Sequence, residues 1–368
     1  MLNSRLLRGT ALGAVLLSAC SLPGRPTSDV GSARAAGQAP EGLILQAGEG
    51  ERRVRRPRPG SSTAQSTPFI LKVDALNGAS PDLVMGYEEI APGEAIQPHR
   101  HLVADEILFV HRGSGIATLG GRDSPVRTGA TVYIPRNLPV SVRNSGAEPL
   151  AVAFFFSKPG FEQLMRANSA LEGAPITSLS TEEQAAIRTR HRWHTIAGEP
   201  EPGASRAAGG GLVLQAGQGE RRVARPGAGA ETTRLPTPFI LKVDRRTGGS
   251  SDLVMGYGEI APGDLIGFHR HVHADEIIFV HRGSGRVGLG TREAEVGTGA
   301  TIYVPRGNPV RLRNTGLEPL GIVFVFSRPG FEELMREISV PEGEVARPLS
   351  AEEQAAIHAR HRWHTIYP

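Results

Sequence analysis

Residues 93–113 read G-E-A-I-Q-P-H-R-H-L-V-A-D-E-I-L-F-V-H-R-G, and the chain repeats the design at 263–283 as G-D-L-I-G-F-H-R-H-V-H-A-D-E-I-I-F-V-H-R-G. His99 and His101 are one residue apart, so on a strand their imidazoles share a face, because strand side chains alternate with a period of two. Glu106 follows soon enough to meet them across a hairpin. Two nitrogens and a carboxylate on one face make the ligand set of a divalent metal site. His269, His271 and Glu276 present the same set again.

Working outward, the flanking sequence repeats as well. Pro68-Phe69-Ile70-Leu71-Lys72-Val73-Asp74 returns from Pro238 to Asp244, and His191-Arg192-Trp193-His194-Thr195-Ile196 returns from His361 to Ile366. One whole domain is duplicated in tandem. The spacing predicts a first domain over 41–196 and a second over 211–368, joined by a linker over 197–210 that is rich in Gly, Ala and Pro. Within a copy, Phe69 to Val73, Leu83 to Tyr87, Glu106 to Val110, Thr131 to Ile134 and Ala151 to Phe156 are short β-branched or aromatic runs. Gly, Pro and Asn punctuate them, as expected of a sandwich or barrel. Two helices are expected to close each copy: one beginning near Phe161, the other capped by Ser180 with Glu183 three residues on, a capping box that Ser350 and Glu353 repeat.

The 368 residues include 46 Gly and 28 Pro but few aromatics, which suits strands and turns better than a helical bundle. The net charge is +4, with both signs mixed along the chain. There is no basic stripe of the kind a phosphate backbone requires, so a nucleic-acid partner is not expected. The densest basic run, Arg52-Arg53-Val54-Arg55-Arg56, reads as a solvated loop. G-x-S-x-G, phosphate-loop and C-x-x-C motifs are absent from the sequence.

The single cysteine, Cys20, ends the sequence Leu17-Ser18-Ala19-Cys20, which follows Arg5, Arg8 and the apolar run from Ala11 to Leu17. This resembles the lipobox of bacterial lipoproteins. The resemblance implies a signal peptide over 1–19, lipidation of Cys20, and a protein exported and lipid-anchored in the bacterial cell envelope. The anchor would lie on the periplasmic side, with the outer membrane favoured in a Gram-negative cell because Ser21 is not acidic. Residues 20–40 read as a flexible tether.

The two histidine stretches resemble the first motif of the cupin superfamily. Gly93, His99, His101, Glu106 and Gly113 meet its spacing, as do Gly263, His269, His271, Glu276 and Gly283. Gly129, Pro135 and Asn144, and more fully Gly299, Pro305, Gly307 and Asn314, match the second motif. The fold implied is all-β: two tandem cupin (double-stranded β-helix, jelly-roll) barrels, each followed by short C-terminal helices. The resemblance also implies a metal site of three imidazoles and one carboxylate. This chain departs from it, with Val140 and Val310 at the third histidine position and Asn137 in place of one glycine. What remains is a 2-His-1-Glu set in each copy, compatible with Fe, Mn, Ni or Zn.

Val140, Val310, Tyr133 and Tyr303 are expected to line the pocket. His273, where the first copy has Val103, is a candidate additional ligand because it shares parity with His271. His111 and His281 should face away from the carboxylate, and His191, His194, His361 and His364 read as helix-end residues beside a Trp that packs on the barrel. Two functions are compatible with the sequence. One is an envelope metalloenzyme resembling bicupin dioxygenases and decarboxylases, acting on a small oxygen-bearing substrate. The other is a non-catalytic small-ligand-binding or scaffolding lipoprotein that has lost tight metal binding.

Overall fold

The structure, a computed structural model, describes residues 41–57, 68–198, 210–227 and 238–367. The expected signal peptide, Cys20 and the tether lie outside the described residues, as does most of the expected linker. Among the described residues no helix is long and apolar enough to cross a membrane.

Each copy is built from two antiparallel sheets. In the first, the larger sheet has the order Ser169–Leu171, Glu51–Arg55, Phe69–Val73, Val84–Ile90, Leu150–Phe156, Glu106–Arg112, Thr131–Ile134 and Leu212–Leu214. The smaller sheet runs Thr195–Ala197, Ala95–His101, Val140–Asn144, Ser114–Leu119 and Arg122–Arg127. The alternating residues Leu108, Val110, Val132, Ile134, Val140, Val142, Val152 and Phe154 point inward and fill the barrel. The second copy repeats this plan, so the fold is all-β with two jelly-roll barrels, each closed by short helices.

The helices are α1 (Phe161–Ala167), α2 (Thr181–His191), α3 (Phe331–Glu337) and α4 (Ala351–His361). Both expected capping boxes form: Ser180 accepts from the Glu183 amide while the Glu183 carboxylate accepts from the Ser180 amide, and Ser350 and Glu353 do the same. Each box satisfies two amide donors that the first helical turn leaves unpaired.

The last strand of the first copy's larger sheet, Leu212–Leu214, comes from the second repeat. Reciprocally, Leu43–Leu45 pairs with Thr301–Val304 of the second repeat. The two larger sheets also face one another. Met85, Phe109, Tyr133 and Phe155 of one copy share a single buried cluster with Met255, Phe279, Tyr303 and Val325 of the other. Polar groups reinforce the contact symmetrically. Arg136 bonds both Asp105 of its own copy and Asp252 of the other, and Arg306 bonds Asp275 and Asp82.

The basic run at 52–56 is not a loop. Glu51–Arg55 is a strand, and its arginines are paired: Arg52 with Glu172, Arg53 with Glu51, Arg55 with Glu88. Carboxylates on the same strand, on a strand beyond the neighbouring one and in the turn after Ser169–Leu171 pair with charges that density alone suggested were solvated coil.

Candidate metal centre

His99 and His101 end the strand Ala95–His101 of the smaller sheet, and Glu106 opens the strand Glu106–Arg112 of the larger one. The ligand set therefore spans the two sheets at one mouth of the barrel. The turn after His101 is fixed from the other side by Asn137, whose amide donates to the His101 carbonyl at 2.6 Å. Asn137 has a positive φ of 68°, and its counterpart is Gly307 at 88°. Asn tolerates this left-handed geometry better than other side chains, so the departure from the glycine pattern leaves the turn intact.

One donor atom from each of His99, His101 and Glu106 lies within 4.8 Å of the others, and the same holds for His269, His271 and Glu276. His101 Nε2 faces Glu106 Oε2 at 3.3 Å, and His271 Nε2 faces Glu276 Oε2 at 3.4 Å. None of these four buried atoms has a hydrogen-bond partner among the described residues. Leaving them all unpaired would cost about 1–3 kcal/mol each, so the arrangement fits a cation between them. Burial pushes the first copy's groups toward neutrality: His99 falls to about 4, helped by His101, His101 falls to about 3, and Glu106 rises to about 7. Neutral imidazoles keep a lone pair for a metal, and a metal's charge would return Glu106 to the carboxylate.

The outer nitrogen of each ligand is also held. His99 Nδ1 donates to the Gln97 carbonyl at 2.8 Å and His269 Nδ1 to that of Gly267 at 2.9 Å. A carbonyl only accepts, so each ring carries its proton on Nδ1 and turns Nε2 to the site. His101 and His271 bond instead to hydroxyls, Thr195 Oγ1 at 3.1 Å and Thr365 Oγ1 at 3.0 Å.

Val140 and Val310 stand at the site, opposite His99 and His269 in the strand register. In the first copy a cavity of about 40 Å³ is lined by His99, Glu106, Val140, Val142, Arg55 and Glu88. Arg55 grips Glu88 through two hydrogen bonds of 2.6 and 2.8 Å at this rim. The second copy has Ala224 and Gly258 there, so its rim lacks the pair. It has instead Tyr367, whose ring lies 6.2 Å from that of His269, where the first copy has Ala197.

Three expectations need correction. Tyr133 and Tyr303 do not line the pocket; they face the other barrel and donate to Asp105 and Asp275 at 3.0 and 3.1 Å. Val132 and Ile134, of opposite parity, take the inward positions. His273 lies outside the His269, His271, Glu276 group and packs edge-on against Trp363, with ring centroids 5.0 Å apart. The strand ends at His271, so the parity argument does not carry past it. Finally, Trp193 and Trp363 are about half exposed, while the neighbouring His194 and His364 are buried. His194 packs 5.6 Å from His101, behind the site. The sequence signal for this was the T-I strand after each W-H: Thr195 pairs with His101 and Thr365 with His271.

Comparison with known proteins adds a domain match and similar folds. The cupin domain family (Cupin_2: Cupin domain) matches residues 86–156 and again 256–326. A dimethylsulfoniopropionate lyase, DddW of Ruegeria pomeroyi, is 33% identical over 92 residues, 25% of this chain and 59% of its own length. The chain spans between 53% and 61% of the curated relatives it matches. Among solved structures, the oxalate decarboxylase of Lactobacillus farciminis in complex with formate superposes with a TM-score of 0.52 at 17% identity, covering 78% of this chain and 86% of that one. Procruciferin, the 11S globulin of Brassica napus, gives 0.52 at 13% identity, covering 79% and 85%. One neighbour is a decarboxylase and the other a globulin, so the likeness speaks for the fold and leaves the activity to the site. The cupin domain model matches each repeat in part, and the chain shares the two-barrel fold of these structures, with a His-His-Glu group in each barrel that could hold a metal.

Proposed function

We propose that this chain is an envelope-anchored bicupin metalloprotein that holds a divalent transition metal, Fe, Mn, Ni or Zn, through His99, His101 and Glu106 and through His269, His271 and Glu276. The observation that carries the reading is the set of four buried, unpartnered atoms, His101 Nε2, Glu106 Oε2, His271 Nε2 and Glu276 Oε2, facing one another in pairs. Three protein ligands leave coordination positions open, and a metal bound there would supply Lewis-acid or redox chemistry to an oxygen-bearing substrate. The chain's residues would orient the ligand rings through Gln97, Gly267, Thr195 and Thr365, and exclude bulk water with Val140, Val310 and the inward barrel face. A cavity of about 40 Å³ in the first barrel admits only a small molecule. One similar protein is named for chemistry on a small carboxylate, dimethylsulfoniopropionate, which supports a substrate of that class.

The second barrel, without the Arg55–Glu88 pair at its rim, is the better candidate for chemistry. The observation favouring a non-catalytic ligand-binding role is the valine at each position where a third imidazole would stand. Assays of the metal-loaded chain on small carboxylates, reading oxygen uptake and carbon dioxide release, separate the two. Turnover lost in Glu276→Gln supports the enzyme; binding without turnover supports the ligand-binding role. The anchor rests on the lipobox-like sequence ending at Cys20, and Cys20→Ala should move the protein from the membrane to the soluble fraction.

A further inference from the structure

In the second barrel the hydrogen-bond chain behind the metal centre reaches the surface. His271 Nδ1 lies 3.0 Å from Thr365 Oγ1, which lies 2.7 Å from His364 Nδ1. His364 Nε2 lies 3.2 Å from His361 Nδ1, and His361 Nε2 lies 2.9 Å from Glu337 Oε1. Glu337 ends α3 and is exposed, and its other oxygen, Oε2, accepts from Arg360 Nε at 3.1 Å.

We propose that Glu337 is a positioning residue that sets the tautomer of His271, four groups away, and so presents His271 Nε2 as a lone pair to the metal. The proposal rests on the metal-binding reading of the site. A carboxylate only accepts, so neutral His361 must donate from Nε2 and accept at Nδ1. His364 then donates from Nε2 and accepts at Nδ1 from the Thr365 hydroxyl. With its one proton committed, the hydroxyl accepts from His271, whose proton is thereby held on Nδ1. Each group has a single proton to donate, so the acceptor at the surface fixes the direction of the whole chain. Glu276 Oε2 lies 3.4 Å from His271 Nε2 without a hydrogen bond between them, whereas Thr365 is hydrogen-bonded to the ring's Nδ1.

The first barrel has the same histidines and threonine but lacks both the carboxylate anchor and the bond between His191 and His194. His101, Thr195 and His194 are joined at 3.1 and 2.6 Å, but Ala167 occupies the position of Glu337. There His194 Nε2 and His191 Nδ1 are buried without a hydrogen-bond partner among the described residues. The Thr195 hydroxyl is free to point either way, so His101 can carry its proton on either nitrogen.

The test reads imidazole ¹⁵N shifts of the metal-free full chain at pH 8, above the ordinary range in which imidazoles ionise. The expected result is His271 as the Nδ1–H tautomer in the wild type, with the Nε2–H form appearing in Glu337→Ala. Zinc affinity of the second barrel, measured in a His99→Ala/His101→Ala background, should fall about tenfold in Glu337→Ala. The first barrel carries alanine at this position, so the substitution is compatible with the fold. An unchanged His271 tautomer in Glu337→Ala would overturn the proposal. A tautomer that changes as expected in a chain that binds no zinc would leave it standing and overturn the metal-binding reading instead.

Discussion

His99 and Val140 are cross-strand partners, and His269 and Val310 repeat the pair. The isopropyl groups sit where a further nitrogen donor would complete a four-ligand site. Val310→His should therefore tighten metal binding in the second barrel by at least about tenfold, or about 1.4 kcal/mol. Competition titration with a chromophoric chelator measures it. Affinity equal to the wild type's would show that position 310 is out of reach of the ion.

Glu106 is buried beside neutral imidazoles, and burial, with Glu88 nearby, raises it to about 7 despite the opposing pull of His99. Its folded value exceeds its unfolded one, so the metal-free protein loses stability as pH rises through this range, and the full penalty applies above it. Glu106→Gln should stabilise the metal-free chain at pH 8 by roughly 1–3 kcal/mol while abolishing any stabilisation by metal at that barrel. Thermal unfolding with and without added zinc reads both. A variant destabilised when metal-free would contradict the burial argument.

Between the barrels, His111 Nδ1 lies 3.2 Å from His281 Nδ1, and both are flanked by Phe109, Phe279, Tyr87 and Tyr257. Burial lowers both to about 4; the partner imidazole and Arg112 add to the effect for His111, while Arg282 adds and Glu259 opposes it for His281. Neutral rings of opposite tautomer can share one proton; charged ones repel. The folded values lie below the unfolded one, so this contribution is present above pH 6.5 and is lost as pH falls toward 4. His111→Gln/His281→Gln should make the fall in melting temperature between pH 7 and 4 shallower. The same fall in the variant would place the acid sensitivity elsewhere.

Much of this was legible from residue order. The period of two in 99–101 put both imidazoles on one face, and Thr131–Ile134 came out with the expected bounds. What alternation cannot say is what covers the outer face of a strand. Tyr133, His111 and Phe109 look like outward positions of a single barrel, and only the facing second barrel buries them. The exchange of Leu43–Leu45 for Leu212–Leu214 was equally hidden, since a closely similar repeat pairs as well in its own copy as in the other. His194 and His364 were misplaced for a different reason. Spacing suggested a helix end, but each helix stops at His191 or His361, and the following turn drives the next histidine inward behind the site.

Metal content of the purified chain tests the central claim most directly. Elemental analysis of protein isolated without chelators should find at least one tightly held transition metal per chain, reduced in His269→Ala/His271→Ala. Metal-free protein whose melting temperature is unchanged by Fe, Mn, Ni or Zn would contradict it.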